Sequence, residues 1–175
     1  VLYDNKKAVL TAAHVCEQQS FEAFILSNNG DFFLKAIDRD DKEYMIYILK
    51  HDRDADICLL MSSSGELPSY LKISSKKPEY GEIVYNLAGP LGIIEKNMVP
   101  VYSGQFFGNL KGRAFYGIPV IGGSSGSPVI NAKGELIGMI HSVHYKFHHI
   151  SLSATYEQLW NFLKIAQSRT LESPN

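Results

Sequence analysis

Short β-rich segments, each bounded by a turn signal, fill the chain as far as Thr155. Segments of this length and spacing are typical of antiparallel sandwiches and barrels, whereas a parallel sheet needs helices between its strands. The runs Asp4–Lys7, Gly89–Gly92 and Asn131–Gly134 supply turns between them. The chain contains neither an internal repeat nor a low-complexity tract. The sequence therefore predicts an all-β fold.

The predicted strands form two groups, separated by the polar segment Ser62–Ser69, in which Ser, Gly and Pro concentrate as they do in linkers. The first group is Val1–Tyr3, Ala8–Thr11, Phe21–Leu26, Phe32–Ile37, Tyr44–Leu49 and Ile57–Met61. The second group is Glu82–Leu87, Met98–Phe107, Arg113–Ile118, Ser127–Ile130, Leu136–Ser142 and Ile150–Ala154. We predict an N-terminal barrel at 1–62, a linker at 63–79 and a C-terminal barrel at 80–154.

The end of the chain has a helical period, and a helix is predicted over residues 155–168. Thr155, followed three residues later by Gln158, is a capping-box signature. Leu159, Leu163 and Ala166 then recur at helical spacing. We expect one terminal amphipathic helix packed against the second barrel.

Charge and hydropathy exclude two classes of partner. The net charge of −1 provides no basic surface field, so nucleic acid is not an expected partner. No apolar run is long enough to span a bilayer, so we expect a soluble protein without a membrane span. Because Val1–Tyr3 resembles the middle of a strand, we expect the first barrel to be truncated at its N-terminus. Neither the compartment nor the oligomeric state follows from the sequence.

The two cysteines, Cys16 and Cys58, have no metal-site spacing and are too few for a disulfide scaffold. Both lie in apolar surroundings, which favours two buried free thiols. A bridge between them stays open, since only the distance between them decides it.

The stretch Gly122–Val129 (Gly-Gly-Ser-Ser-Gly-Ser-Pro-Val) places the hydroxyl of Ser125 among small residues, directly before an apolar strand. Small neighbours admit a substrate carbonyl, and glycine backbone can turn its N–H groups toward a developing oxyanion. Composition alone would favour a flexible Gly/Ser linker. The segments around His14 and Asp56 argue against a linker.

A serine hydroxyl needs a base to take its proton as it attacks, and histidine has the pKa suited to that task. His14 follows a predicted strand, in the run Thr11–His14, where a short turn can aim its ring into a cleft. Asp56 precedes the apolar strand at 57–61, so its carboxylate can lie at a barrel rim and orient the imidazole. The order His14, Asp56, Ser125 predicts a catalytic triad.

With these three motifs, the chain resembles the chymotrypsin-fold (trypsin-like) serine proteases, and more closely the HtrA-like group and the glutamyl endopeptidases. Further similar segments are Leu71–Ile73, Tyr80–Val84, Ala88–Gly92 and Gly134–Ile140. The resemblance covers nearly the whole chain, although only the three triad motifs are specific. It implies two six-stranded antiparallel Greek-key barrels and a C-terminal helix, with the active site in the crevice between the barrels. It also implies an oxyanion hole formed by the N–H groups of Gly123 and Ser125.

Two features depart from the relatives. Digestive proteases carry an Asp before the nucleophile, and Ser124 stands there in this chain, so we predict no activation by a newly freed N-terminus. HtrA proteins usually continue into a PDZ domain, whereas we expect none here. The resemblance favours an extracytoplasmic or secreted location.

The walls of the substrate pocket are expected on either side of the nucleophile. The predicted wall residues are Pro119, Val120, Ile121, Gly122, His141, Ser142 and Val143. Glutamyl endopeptidases read an acidic side chain with a histidine, but His141 falls one residue later than that position. One step along a strand reverses the face, so His141 should point away unless a bulge intervenes. We expect a small or medium apolar P1 residue, with acidic or Gln P1 as the second choice.

Four histidines cluster toward the end of the second group, at His141, His144, His148 and His149. Imidazole suits zinc or copper, but a hairpin with solvent-facing histidines is favoured, and no metal or organic cofactor is expected. The glycine run lacks the lysine of a phosphate-binding P-loop. Ser127 stands where the nucleophile elbow of an α/β-hydrolase requires glycine.

The sequence thus predicts a serine endopeptidase that acts through an acyl-enzyme on an extended polypeptide. Two alternatives stay open, a catalytically silent protease-like domain that binds peptides and a protease that processes its own precursor.

Overall fold

The structure, a computed structural model, describes residues 1–17, 34–93, 95 and 98–164. Its first sheet contains β1 (Leu2–Tyr3), β2 (Lys6–Thr11), β3 (Leu34–Ile37), β4 (Glu43–Asp52) and β5 (Ile57–Ser62). Its second sheet contains β6 (Ile83–Leu87), β7 (Val101–Leu110), β8 (Arg113–Tyr116), β9 (Pro128–Ile130), β10 (Leu136–His144) and β11 (Phe147–Ala154). An α-helix, α1, covers Tyr156–Lys164.

The predicted all-β class is confirmed, and so is a closed six-stranded second barrel, ordered β10-β11-β8-β7-β6-β9. All of its strand pairs are antiparallel. Over the described residues the first half is a five-stranded antiparallel sheet, ordered β1-β2-β5-β4-β3. The predicted strand Phe21–Leu26 and residues 32–33 of the strand predicted at 32–37 lie outside the described residues.

The hairpin between β1 and β2 follows from its two turn residues. Asp4 and Asn5 both adopt positive φ, 48° and 58°. Two-residue loops with positive φ at both positions match the twist of antiparallel strands, and Asp and Asn tolerate this region best among non-glycine residues.

β5 is the central strand of the first sheet, and both of its faces are covered. Ile57, Leu59 and Met61 enter a core that also contains residues of the second barrel and of α1. Cys58 and Leu60, on the alternate face, enter a separate core within the first sheet. This period of two is that of a β-strand, and the continuous apolar run is that of a strand buried on both faces.

The predicted capping box is present at the start of α1. The N–H of Thr155 donates to Gln158 Oε1 at 2.8 Å, and the N–H of Gln158 donates to Thr155 Oγ1 at 3.2 Å. These bonds satisfy backbone donors that a helix N-terminus leaves free. Residues 165–168 of the predicted helix lie outside the described residues.

α1 packs against both halves rather than against the second barrel alone. Leu159, Phe162 and Leu163 join the core that contains Ile57 of β5 and Met139 of β10. Lys50 of β4 stacks its ammonium on the Phe162 ring at 4.3 Å. The amphipathic face therefore covers the seam between the two sheets, where apolar side chains from both pack against it. Within the described ranges, no helix is both long and apolar enough to cross a membrane.

Candidate active site

His14 stands on a helical turn, residues 13–17, that begins where β2 ends. Ala12 and Ala13 before it are 0% and 3% exposed. Their small side chains allow the backbone of this turn to pack closely against the core. The His14 side chain is 47% exposed and projects from this anchored turn. The ring is therefore placed by a buried backbone while remaining open to a substrate.

Asp56 occupies an unusual backbone conformation at the start of β5. Its φ is +54°, in the left-handed region that Asp enters more readily than most residues. The preceding turn is closed by a hydrogen bond from the Ala55 N–H to Asp52 Oδ1 at 3.0 Å. The carboxylate is consequently aimed sideways from the strand toward the turn that carries His14.

Both carboxylate oxygens of Asp56 contact His14. Oδ1 accepts the backbone N–H of His14 at 2.9 Å, and Oδ2 lies 2.8 Å from the ring Nδ1. Since an ionised carboxylate only accepts, the ring proton resides on Nδ1. Nε2 then keeps its lone pair free to take a proton from a nucleophile.

The expectation of two free thiols is wrong, because Cys16 and Cys58 form a disulfide. Their Cα atoms are 6.6 Å apart, within the range that a bridge spans without backbone movement. Cys16 lies two residues after His14, and Cys58 lies two residues after Asp56. The bridge thus covalently joins the two elements that present the imidazole and the carboxylate.

Residues 121–127, the serine loop, begin with a turn from Ile121 to Ser124. The Ser124 N–H donates to the Ile121 carbonyl at 3.1 Å, and Gly123, in the third position, has φ +92°. A type II turn requires positive φ there, which glycine adopts at no steric cost. A side chain at Gly123 would also press on the backbone nitrogen of Leu91, 2.8 Å from the Cβ position.

A second turn follows at once and carries Ser125. The Ser127 N–H donates to the Ser124 carbonyl at 3.1 Å, with Gly126 in the third position at φ +87°. The Gly126 N–H then donates to the Ile140 carbonyl of β10 at 2.7 Å. Ser125 is therefore held at a corner of the backbone between two glycines that each adopt positive φ.

The two turns leave backbone donors free. Across the described residues, no hydrogen-bond acceptor is recorded for the N–H of Gly123 or of Ser125. Two unpaired N–H groups, one on either side of Ser124, are the type of donor that an oxyanion hole requires. The Gly122 carbonyl accepts the Leu91 N–H at 3.2 Å.

The serine loop meets the first sheet close to His14. A Cβ built on Gly126 would stand 3.3 Å from Thr11 Cβ, at the end of β2. The Ser125 hydroxyl donates to the His141 carbonyl at 3.3 Å, and no hydrogen bond joins it to His14 among the residues the structure covers. The structure thus pairs His14 with Asp56 and brings the serine loop against the strand that leads to His14.

A family model described as a trypsin-like peptidase domain matches residues 1–139 of this chain. The chain belongs to this family. The match includes both segments that contact each other through His14 and Asp56, the whole serine loop and the first part of β10. A comparison with curated proteins gives no match. Family membership gives the peptidase domain a protease-type function and supports the predicted relation to trypsin-like serine proteases.

Asn86 is a residue of the peptidase domain that sequence reasoning missed. It is fully buried in β6, and its Nδ2 donates to Ser127 Oγ and to the Pro128 carbonyl, each at 2.8 Å. Ser127 Oγ in turn donates to the Ser124 carbonyl at 2.7 Å. These hydrogen bonds connect the buried strand β6 to the serine loop and stabilise the conformation of the loop. The available sequence signal is an amide within an otherwise apolar strand.

Replacing Asn86 with alanine is expected to lower the free energy of unfolding by about 1–3 kcal/mol, because two partly buried acceptors lose their donor. Urea unfolding measures the loss. Asn109→Ala, at an exposed position in β7, is the matched control and should change stability by less than about 0.5 kcal/mol. Equal stability of the Asn86 and Asn109 variants would contradict the bracing role.

The predicted pocket walls lie in different environments. Pro119, Ile121 and Gly122 are exposed, whereas Val120 is 5% exposed and packs in the core of the second barrel. Val143 packs partly against the same core. Val120 can therefore contribute backbone, but not its side chain, to a pocket.

On the other wall, an irregularity of the strand pairing determines the direction of His141, which was the condition attached to its expected orientation. The β10–β11 ladder shifts register between Ile140 and Ser142. At this irregularity the His141 ring turns inward, with its side chain 8% exposed and Nδ1 3.8 Å from Asp56 Oδ2. The ring thus lies beside the carboxylate that contacts His14.

The remaining histidines of the predicted cluster lie on the hairpin that connects β10 and β11. The His144 ring stacks on Tyr145 at 5.0 Å and lies 5.3 Å from Phe147, and Phe147 contacts His149. His148 is exposed, and its carbonyl accepts the Val120 N–H. Among the described residues, no group of three or more His, Cys, Asp or Glu is placed to hold a metal ion.

Proposed function

We propose that the domain is a serine endopeptidase in which Ser125 is the nucleophile, His14 the general base and Asp56 the residue that orients His14. The observation that most supports this proposal is that Asp56 contacts both the backbone N–H and the Nδ1 of His14. It supports this role because it leaves Nε2 unprotonated and holds the ring to the backbone of its own turn. No metal or organic cofactor enters the reaction.

The chemistry follows from these groups. Nε2 of His14 takes the hydroxyl proton as Ser125 Oγ bonds to the scissile carbonyl carbon. The carbonyl oxygen becomes negative and is stabilised by the N–H groups of Gly123 and Ser125. His14 returns the proton to the leaving amine as the C–N bond breaks, and an acyl-enzyme remains. Water, deprotonated by His14, then releases the acid and restores the serine.

The proposed substrate is an extended polypeptide bound by main-chain hydrogen bonds along strand edges. The inward turn of His141 supports a small or medium apolar P1 residue over an acidic one, because the ring is engaged beside Asp56. Ile121, the first residue of the serine loop, is 48% exposed and offers apolar surface there.

The Cys16–Cys58 bridge supports a location in an oxidising compartment, where disulfides form and persist. This agrees with the extracytoplasmic location that the resemblance to secreted and HtrA-like proteases favours. Cytosolic thiol-reducing systems would work against the bridge.

One observation favours the alternative of a silent peptide-binding domain. The Ser125 hydroxyl donates to the His141 carbonyl instead of to His14. The proposed function requires the hydroxyl to leave the His141 carbonyl and to reach Nε2 of His14 when substrate binds. Catalytic hydrogen bonds of unliganded enzymes often form only in the substrate complex.

Fluorophosphonate labelling separates the two functions. We expect the probe to label the wild-type protein on Ser125, located by mass spectrometry of the modified peptide, because only an activated serine attacks the phosphorus. Ser125→Ala should abolish labelling, and Ser75→Ala, which removes an exposed hydroxyl elsewhere, should leave it intact. An unlabelled wild-type protein would favour the binding domain.

A further inference from the structure

Two imidazole rings converge on one carboxylate oxygen in this domain. Asp56 Oδ2 lies 2.8 Å from His14 Nδ1 and 3.8 Å from His141 Nδ1. The first distance is a hydrogen bond, and the second is too long for one. His141 is therefore adjacent to the carboxylate without yet competing for it.

His141 is held in place by polar contacts of its own. Ser142 Oγ lies 2.9 Å from Nδ1. In the tautomer with its proton on Nε2, the neutral ring accepts the Ser142 hydroxyl at Nδ1 and offers Asp56 no donor. The backbone carbonyl of His141 accepts the Ser125 hydroxyl. His141 therefore lies next to both Asp56 and Ser125.

We propose that His141 is a positioning residue for the Asp56–His14 pair: when neutral it leaves Oδ2 to His14, and when protonated on Nδ1 it competes with His14 for that oxygen. A protonated ring can no longer accept from Ser142; its Nδ1–H has two acceptors within reach, Ser142 Oγ at 2.9 Å and Asp56 Oδ2 at 3.8 Å, and the negative charge of the carboxylate favours Oδ2. The contacts of His141 with Ser142 and Asp56 do not depend on the proposed function, whereas the kinetic effect of its protonation rests on it.

Burial is the main reason that the His141 ring stays neutral until the solution becomes acidic. Burial lowers the pKa of His141, while Asp56 raises it, Arg113 and His14 lower it, and the Ser153 backbone raises it, with a net pKa below the ordinary value. The cavity that contains these groups has a volume of about 430 Å³. Its other charged lining residues are Glu17, Arg53 and Asp54.

The consequence is an unusually steep acid limb. Protonation of His14 removes the general base, and protonation of His141 displaces His14 from Asp56. Two inactivating protonations make kcat/KM fall by about a hundredfold per pH unit at the acid end, whereas a single base gives about tenfold.

The first test compares kcat/KM against pH for the wild type and His141→Gln, whose side chain does not titrate. We expect the acid limb to change from about a hundredfold to about tenfold per pH unit. Circular dichroism at each pH separates this change from unfolding. Identical limiting slopes in two folded proteins would overturn the proposal.

Arg113→Gln provides a second test that leaves both imidazoles in place. Since Arg113 lowers the pKa of His141, its removal should move the start of the steep limb to higher pH. Arg39→Gln, whose side chain is 84% exposed and belongs to the first half, is the matched control and should not move it. An unshifted limb in Arg113→Gln counts against the proposal.

The third test needs no activity. In Ser125→Ala, the Nδ1–H of His14 is followed by NMR as the pH falls. We expect the resonance to be lost or shifted as His141 protonates, and to persist to lower pH in the Ser125→Ala/His141→Gln protein. The His14 resonance could change as His141 protonates even though the wild-type protein is not labelled by fluorophosphonate. In that case the positioning role stands and the proposed function fails. If labelling is normal and both proteins titrate alike, the proposed function stands and the positioning role fails.

Discussion

Replacing Ser125 with alanine is expected to lower kcat by about a million-fold, because nucleophile and base act as a unit and neither is effective alone. The remaining rate, about a thousand- to ten-thousand-fold above water, would come from substrate binding and from the N–H groups of Gly123 and Ser125, which the substitution retains. Peptide cleavage under single-turnover conditions measures the loss without contribution from product release.

Three comparisons sharpen this prediction. His14→Ala should cost about as much as Ser125→Ala, and the double variant should cost little more than either, since each change alone disables the unit. Asp56→Asn should lower kcat by about ten-thousand-fold, because an amide cannot fix the same tautomer of His14. Asp54→Asn, two residues earlier and outside the pair, is the matched control. Hydrolysis that largely survives in Ser125→Ala would remove Ser125 from the mechanism.

Local sequence patterns predicted those parts of the structure that depend on neighbours along the chain. Thr155 and Gln158 form their capping box because both partners lie within one helical turn. Gly123 and Gly126 adopt positive φ because the two turns of the serine loop require it at those spacings. The continuous apolar run Ile57–Met61 predicted a strand, since hydrophobic patterning is itself a local property.

Contacts between segments that are distant in the sequence could not be predicted from local patterns. The Cys16–Cys58 bridge depends on the distance between the turn after β2 and the strand β5, which no local pattern determines. The direction of His141 depends on a register shift against β11, and one residue of slip reverses a side chain. Asn86 was missed because its importance comes from the serine loop that it supports, 41 and 42 residues further along. α1 contacts both sheets because the seam, rather than either barrel, offers the apolar surface.

Removing the Cys16–Cys58 disulfide is expected to lower the free energy of unfolding by about 2–5 kcal/mol. The bridge spans a sequence separation of 42 residues, so its loss returns considerable conformational freedom to the unfolded chain, which raises the entropy of that state. For a chain of this size the corresponding fall in Tm is about 5–15 °C. Thermal unfolding of Cys16→Ala/Cys58→Ala against the wild type measures it.

The design of the comparison must separate the cross-link from the packing of its sulfur atoms, because Cys16 and Cys58 are 2% and 0% exposed. Wild-type protein reduced in urea and refolded under reducing conditions keeps both sulfur atoms and loses only the bond. It should therefore lose stability through the cross-link alone, whereas the double alanine variant adds the cost of a small cavity. Reduced wild type that unfolds at the same temperature as the oxidised protein would contradict the prediction. Because the bridge joins the turn of His14 to the strand after Asp56, the reduced protein should also lose kcat before it unfolds, as the paired side chains separate.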